Sequence, residues 1–302
     1  MEWIRGIQRA IDYIEEHLTD DLDYEEIAGQ SFSSVFHFQR VFSILCGYTL
    51  GEYNRSRRLA VAGMQLASGK EKVIDVALRY GYDSPDSFAK AFQKFHGITP
   101  SQARSEGAKL RSFSRLSFKI TLEGGARMSY RIEKKGNLTL TGFKKHFTGT
   151  PLDRKQQDHN FAVSSRLNQY ILQGIARDCT TLYEIIANVN DEGYDFYFAV
   201  KLDQWALDHF EEELGKEIAE RFEHLHLQEA AYMVCETERC EYPTEKIEEL
   251  YRKAVTEWLP STGYELANLP EFDIIHWYYD REDPSVNQTR YVELWLPIQE
   301  KK

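Results

Sequence analysis

Two stretches of this sequence, which begin fifty residues apart, carry hydrogen-bonding side chains between the same apolar positions. The first reads SVFHFQRVFSILCGYT from Ser34 to Thr49, and the second reads SPDSFAKAFQKFHGIT from Ser84 to Thr99. Their Gln, Arg, Lys and Ser side chains can pair with the edges of DNA bases or with phosphates. A repeat of this kind predicts two copies of one DNA-reading element in the chain.

The apolar spacing indicates which side chains of each copy can make such contacts. Both copies have a Phe pair four residues apart, Phe38 with Phe42 and Phe88 with Phe92, and this spacing places both members on one face of a helix. We expect that face to pack inside the protein and the other positions to reach DNA. The predicted contacts are Ser34, Phe36, Gln39 and Arg40 in the first copy and Ser84, Asp86, Ser87, Lys90 and Lys94 in the second.

Two helix-turn-helix units and a connecting helix must position these residues. Each copy starts at a Ser suited to cap a helix and ends at a Gly suited to stop one. One helix is predicted for the connecting segment TLGEYNRSRRLAVAGMQLAS, with Arg55 and Arg57 exposed toward DNA. Such a helix of roughly eighteen residues spans about 27 Å, which brings the reading helices near the ~34 Å spacing of successive major grooves. One chain could then read two adjacent grooves.

Composition and charge limit the other classes of function. The net charge of the 302 residues is −11, but residues 31–110 hold 11 Lys and Arg against 6 Asp and Glu, so the repeated part is basic. No apolar run is long enough to cross a bilayer and no signal peptide is evident, so we expect a cytoplasmic protein without a membrane partner. The four cysteines are scattered, and His224 and His226 lie two apart on a predicted helix, so neither a metal site nor a cofactor is expected.

The first hundred residues are similar to a known family of DNA-binding domains. The residues IAGQSFSSVFHFQRVFSILCGYTLGEYNRSRRLAVAGMQLASG, followed by VIDVALRYGYDSPDSFAKAFQKFHGITPSQAR, resemble the DNA-binding domain of AraC/XylS-type bacterial transcription regulators over about residues 5–106. The resemblance implies an all-α domain at residues 1–108, with double-stranded DNA as its partner. RNA polymerase is a further candidate partner of the protein. Asp86 departs from the family pattern, since a carboxylate in the groove accepts from cytosine or repels phosphate.

The rest of the chain reads as strands mixed with helices. Residues 109–127 are rich in Ser, Gly and basic side chains and are interpreted as a linker. Strands are predicted from the runs TLTGFKKHFTG, TLYEIIANV, YDFYFAVKL, LQEAAYMVCETERC, EFDIIHWYYD and RYVELWLPI. Helices are predicted from DHNFAVSSRLNQYILQGIA and PTEKIEELYRKAVTEWLPSTG, and residues 202–227 also read as helical. Strand, helix, strand, strand thus occurs twice, which predicts an α+β domain at residues 128–302.

The last predicted strand contains a carboxylate between two aromatic side chains. Alternation along RYVELWLPI places Tyr291, Glu293 and Trp295 on one face of the strand. A carboxylate with aromatic neighbours can receive a lipophilic cation, and each cation–π contact contributes roughly 0.5 to 2 kcal/mol. A carboxylate buried in this way needs a partner, which a bound cation would supply. Further pocket walls are predicted at Trp258, Trp277, Tyr278 and Tyr279.

The end of the chain is similar to a second family. EWLPSTGYEL, PEFDIIHWYYD and DPSVNQTRYVELWLPI resemble the GyrI-like effector-binding domain, most clearly over residues 228–300. The resemblance implies a groove between two repeats that binds a small-molecule effector, and it matches Glu293 to the glutamate of the family's last strand. Together the two resemblances imply a transcription regulator with a small-molecule sensor.

Two other functions of the second domain stay open at this point. The sequence contains no GxSxG, P-loop, HExxH or dinucleotide fingerprint, so no catalytic residue is predicted and the protein is not expected to be an enzyme. One alternative is a module that binds a protein partner, and the other is a small-molecule hydrolase that uses a groove carboxylate. An enclosed aromatic groove around Glu293 would favour a ligand over a protein partner.

Overall fold

A computed structural model describes residues 2–117, 128–151, 154–241, 243–278 and 289–301 of the chain, which divides into two compact units at residues 1–122 and 123–302. The predicted linker, residues 109–127, lies partly outside the described residues. Its described part belongs to the first unit, where the Leu116 amide donates to the Tyr53 hydroxyl at 3.3 Å.

The first unit consists of helices that form the predicted pair of helix-turn-helix elements. Their bounds are α1 (Glu2–Glu16), α2 (Tyr24–Gly29), α3 (Val35–Cys46), α4 (Leu50–Ala67), α5 (Val73–Arg79), α6 (Pro85–His96) and α7 (Pro100–Ala103). Helices α2 and α3 form the first element and α5 and α6 the second. The connecting helix α4 has 18 residues, as the sequence predicts.

Matching caps fix both ends of α3 and α6. The Ser34 hydroxyl accepts a hydrogen bond from the His37 amide, and the Ser84 hydroxyl accepts one from the Ser87 amide. Gly47 and Gly97 end the helices with φ of 73° and 80°, a left-handed conformation that favours glycine. Helices α3 and α6 therefore have the same length, 12 residues, and the same kinds of cap.

Nine described strands make up one antiparallel sheet in the second unit. Their bounds are β1 (Arg131–Lys135), β2 (Leu138–Phe147), β3 (Thr181–Asn190), β4 (Gly193–Val200), β5 (Glu223–Leu227), β6 (Ala230–Glu236), β7 (Tyr264–Leu266), β8 (Glu271–Trp277) and β9 (Arg290–Glu300). The strand order is β1-β6-β9-β8-β3-β4-β2-β5, and β7 also pairs with β9. Strands β3 and β8 meet at the centre, with Glu184 directly opposite Asp273.

Helices cover one face of this sheet. Their bounds are α8 (Lys155–Ser164), α9 (Arg166–Ala176), α10 (Gln204–Asp208), α11 (Phe210–Leu214), α12 (Lys216–Ala219) and α13 (Thr244–Lys253). Phe161 of α8 and Leu172 of α9 pack against Phe196 and Phe198 of β4, and we call this side the helical face. The other side, which we call the opposite face, carries a second buried cluster that includes Trp295. Strand, helix, strand, strand occurs twice, as predicted, in β2-α8/α9-β3-β4 and β6-α13-β8-β9.

The segment 202–227 differs from its helical prediction. It contains three short helices, α10 to α12, and then the strand β5, because Gly215 takes φ of 75° and ends α11. His224 and His226 thus lie on a strand, where residues two apart share a face, and not on a helix. Their rings contact the hydroxyls of Thr141 and Thr139 of β2 at 2.8 and 3.0 Å.

Candidate functional site

Helix α6 presents a polar face to solvent, as a DNA-reading helix must. Asp86, Ser87, Lys90 and Lys94 are exposed, whereas Phe88 and Phe92 are completely buried. Gln93 is exposed as well, next to Lys90 along the helix, and the sequence analysis did not select it. The sequence could have indicated Gln93, because it follows Lys90 by three residues and residues three apart are neighbours on a helix surface.

Helix α3 is more deeply embedded than α6. Phe36 and Gln39 are half-buried, but Arg40 is only 1% exposed, so the prediction that Arg40 reaches the groove is wrong. Ser43 and Ile44, one turn further along the same side of the helix, are also buried. Neighbouring helices thus cover two sides of α3, and the Phe spacing alone indicates just one of them.

The arginines of α4 differ in their surroundings. Arg55 is exposed and stays a candidate for phosphate contact. Arg57 is 13% exposed and pairs with Glu15 of α1 at 2.8 Å. It also donates to the carbonyl of Phe113. Because Arg57 is engaged inside the unit, its predicted exposure toward DNA is wrong.

Glu293 lies on the opposite face of β9 together with Tyr291 and Trp295. Its side chain is 15% exposed. Trp295 Nε1 donates to Glu293 Oε2 at 3.0 Å, and Arg131 donates to Glu293 Oε1 at 2.8 Å. His276 Nε2 lies 3.7 Å from Oε2. His276, Arg131 and Trp295 together lower the pKa of Glu293 to about 2, so the carboxylate stays ionised at neutral pH.

Positively charged side chains of the protein lie against the aromatic residues around Glu293. The Arg131 guanidinium lies 5.8 Å from the ring centre of Trp295, and the Lys135 ammonium lies 4.7 Å from it. Arg239 lies over Tyr278 at 4.7 Å and over Tyr291 at 5.2 Å. The chain therefore already uses these rings as cation–π acceptors.

The other predicted pocket walls lie apart from this cluster. Trp258 is buried and packs edge-on against Tyr130 at 5.1 Å. Trp277 lies on the helical face, where it lines a cavity. Tyr279 lies outside the described residues. The structure thus brings Tyr291, Glu293 and Trp295 together, with Tyr278 near Tyr291.

The cavity on the helical face contains charged residues that the sequence analysis missed. Its volume is about 440 Å³, and Arg154, Asp158, Glu184 and Asp273 are among its lining residues. Glu184 and Asp273 each lie between apolar neighbours along β3 and β8, and an acidic residue at such a position was a signal that could have been found. Arg154 and Asp158 were not detectable, because only the packing of α8 on the sheet brings them there.

The residues that the structure describes include no group of three or more His, Cys, Asp or Glu that could hold a metal ion. Burial raises the pKa of Cys46 and of Cys235 to about 12, so these two thiols are unreactive. None of the described helices is long and apolar enough to cross a membrane.

Both units match known family models. A model for a helix-turn-helix domain matches residues 27–106, and a model for an integron-associated effector binding protein matches residues 131–298. The chain is 43% identical over 98 residues to the HTH-type transcriptional activator AarP of Providencia stuartii, which covers 32% of this chain and 73% of AarP. It is 34% identical over 188 residues to the uncharacterized HTH-type transcriptional regulator YbfP of Bacillus subtilis (strain 168), which covers 62% of this chain and 59% of YbfP.

Among solved structures, that of SAV2435 bound to tetraphenylphosphonium is similar to the chain with a TM-score of 0.40 and 18% identity. The alignment covers 57% of this chain and 94% of SAV2435.

Proposed function

Because the chain belongs to the AraC-type helix-turn-helix transcription regulators and carries an effector-binding domain of the integron-associated family, we propose that it reads two adjacent major grooves and responds to a lipophilic cation. Helices α3 and α6 are the reading elements. The effector contacts Glu293 and the aromatic rings around it.

The exposed side of α6 supports the DNA-reading role. Lys90 and Gln93 can donate to base edges, and Lys94 can pair with a phosphate. Asp86 stands at the start of the same helix, where it favours a cytosine amino group over a phosphate. Since α3 exposes less polar surface than α6, the second element makes the larger contribution to base preference.

A binding titration with duplexes selected from a random library tests this role. We expect the selected DNA to contain two half-sites about one helical turn, ~10 base pairs, apart. Lys94→Ala in the full chain should weaken binding about tenfold and reduce the salt dependence by about one counterion, whereas Lys216→Ala, exposed in the second unit, should change neither. Equal affinity for selected and random duplexes would refute the proposal.

The observation that carries the effector role is the internal cation at Glu293. Arg131 pairs with the carboxylate and approaches the face of Trp295, and both contacts are ones that a lipophilic cation would make. The Arg131 side chain is 41% exposed, so it can move away into water at small cost. We therefore expect a bound effector to displace Arg131 from Glu293. Without an effector, Arg131 supplies the positive charge that compensates the Glu293 carboxylate.

Two substitutions with opposite effects test the exchange. Calorimetric titration with tetraphenylphosphonium should show binding weakened by one to two orders of magnitude in Glu293→Gln, at about 1.4 kcal/mol per tenfold. Arg131→Met removes the competing cation and should tighten binding about tenfold. Triphenylphosphine oxide, a neutral analogue, should bind the three proteins equally. Unchanged affinity for the cation in both variants would contradict the assignment of Glu293.

The electrostatics of Glu293 do not favour the hydrolase alternative. A general base works best when its pKa lies near the working pH. The pKa of Glu293 is about 2, since His276, Arg131 and Trp295 stabilise its ionised form. Such a carboxylate accepts a proton poorly at neutral pH, and its chemistry fits binding better than catalysis.

A further inference from the structure

The cavity on the helical face is separate from Glu293. Val292 and Leu294 of β9 line it, and side chains alternate between the two faces of a strand. Glu293, between them, therefore points to the opposite face. The sheet itself separates the cavity from the proposed effector site.

One arginine lies among three carboxylates inside this cavity. Arg154 donates to Asp273 at 2.9 Å and to Glu184 at 3.3 Å. Asp158, one turn further along α8, is the third acid in the lining. A fourth, Glu271, accepts a hydrogen bond from the Tyr251 hydroxyl at 2.9 Å. The other charged or titratable residues of the lining are Lys155, His159, Glu248 and Arg290.

Burial prevents water from compensating these acids. The side chains of Glu184 and Asp273 are 13% and 6% exposed, and they face each other across β3 and β8. Burial is the largest cause that raises the pKa of Glu184 to about 8 and that of Asp273 to about 6, and Arg154 opposes it only in part. Both carboxyls therefore ionise less readily than they would in water, and a further positive charge beside them would favour their ionised forms.

The remaining walls are apolar. They include Leu182, Ile186, Phe198, Ile275 and Trp277. A volume of about 440 Å³ lies within the roughly 300–1,000 Å³ that is usual for small-molecule sites. The cavity therefore combines an acidic centre with room for an apolar group of drug-like size.

We propose that this cavity is a second small-molecule site, selective for a protonated amine or amidinium that carries an aromatic or aliphatic body. The charged group binds between Asp158, Glu184 and Asp273. Buried carboxylates form their strongest contacts with N–H donors, so a quaternary cation, which has none, is a poor ligand here. This preference distinguishes the cavity from the site at Glu293.

Calorimetric titration of the full chain with 4-phenylbenzylamine and its neutral analogue 4-phenylbenzyl alcohol tests the proposal. We expect the amine to bind at least tenfold more tightly than the alcohol. Glu184→Gln should remove most of this difference, whereas Glu192→Gln, an exposed glutamate of the same unit, should not affect it. Equal affinity for amine and alcohol, or an undiminished preference in Glu184→Gln, would overturn the proposal.

A variant that fills the cavity and a competition experiment complete the test. Ala162 lines the cavity from α8, so Ala162→Phe should exclude both probes while circular dichroism shows a folded protein.

Saturating tetraphenylphosphonium should leave the amine affinity unchanged if the two sites are separate. Competition between the probes would show that one site binds both and would overturn the second site, whereas failure of tetraphenylphosphonium to bind would count only against the role of Glu293.

Discussion

Two glutamates of the same sheet have pKa values that are shifted in opposite directions. His276, Arg131 and Trp295 lower the pKa of Glu293 from 4.5 to about 2. Burial, with Asp158 as the next contributor, raises the pKa of Glu184 from the same value to about 8, although Arg154 lowers it. The difference arises from the surroundings on each face of the sheet. Three groups, His276, Arg131 and Trp295, stabilise the ionised form of Glu293, whereas burial dominates at Glu184, which shares Arg154 with Asp273.

This contrast predicts opposite contributions to the pH dependence of stability. The folded pKa of Glu293 lies below its unfolded value, so its contribution is present above about pH 4.5 and is lost as the pH falls through about 2. The folded pKa of Glu184 lies above its unfolded value, so its ionisation destabilises the fold increasingly as the pH rises from 4.5 through about 8. Glu184→Gln should therefore raise the free energy of unfolding by about 2 kcal/mol at pH 9 and leave it nearly unchanged at pH 4.

Urea unfolding of the second unit at both pH values measures this effect, with Glu192→Gln as the control. The groups that surround Glu184 are Arg154, Lys155, Asp158, His159, Glu248, Glu271, Asp273 and Arg290. Because Asp158 and Asp273 raise the pKa of Glu184, the substitution also changes their titration, and the difference between the two proteins reports the loss of Glu184 together with this response of its neighbours. A stability difference that is the same at pH 4 and pH 9 would contradict the prediction.

At the level of residues, the sequence predicts which face of a strand a side chain occupies better than it predicts which side chains contact each other. Alternation places Tyr291, Glu293 and Trp295 on one face, and the structure agrees. The partner of Glu293 is Arg131, which is 162 positions away in the sequence. Neither the spacing of apolar residues nor the composition predicts such a contact, because the contact depends on how β1, β6 and β9 pair in the sheet.

At the level of elements, α4 shows how an internal ion pair can be mistaken for a DNA contact. Its length follows from the sequence, and Thr49 caps its first turn. Periodicity cannot tell which polar positions meet another helix, and Arg57 meets Glu15 of α1, 42 residues earlier. Tyr53 also donates to Glu15 at 2.6 Å, so three side chains form one network between α1 and α4.

This network predicts that Arg57 and Arg55 have different roles. Arg57→Ala should lower the free energy of unfolding of the first unit by about 3 kcal/mol, because it leaves Glu15 buried without its charge partner. Arg55→Ala should leave stability within about 0.5 kcal/mol but weaken binding to all duplexes alike. Thermal unfolding and DNA titration of both variants provide the measurements. An Arg57→Ala protein as stable as wild type would show that the pair is not structural.

Repeated patterns made most of the elements predictable. The sequence predicted the two helix-turn-helix units and the two copies of the strand, helix, strand, strand order. Each copy carries its own local pattern, in which capping or turn residues mark the ends of an element and the spacing of apolar residues indicates its type. The segment 202–227 has no second copy, and its charged residues suit a helix as well as a solvated strand. Pairing of β5 with β2 decided that part of the structure, and pairing over such a distance is not a property of the local sequence.

For the whole molecule, a DNA reader and an effector site in one chain must be coupled if the effector regulates DNA binding. Thermodynamic linkage requires that the effector change DNA affinity by the same factor by which DNA changes effector affinity. Couplings of this kind usually amount to roughly 5- to 150-fold. This equality can be tested without knowledge of the direction of regulation.

We therefore predict that tetraphenylphosphonium changes the affinity of the full chain for its selected duplex by at least about fivefold, and that the duplex changes the affinity for the cation by the same ratio. Two titrations measure the DNA affinity with and without saturating cation, and two measure the cation affinity with and without saturating DNA. Glu293→Gln is the matched variant, because it should bind the duplex as wild type does while the cation no longer shifts that affinity. If the cation binds but leaves DNA affinity unchanged in the wild-type protein, the second unit is a binding domain without control over the first, and the regulatory part of the proposal fails.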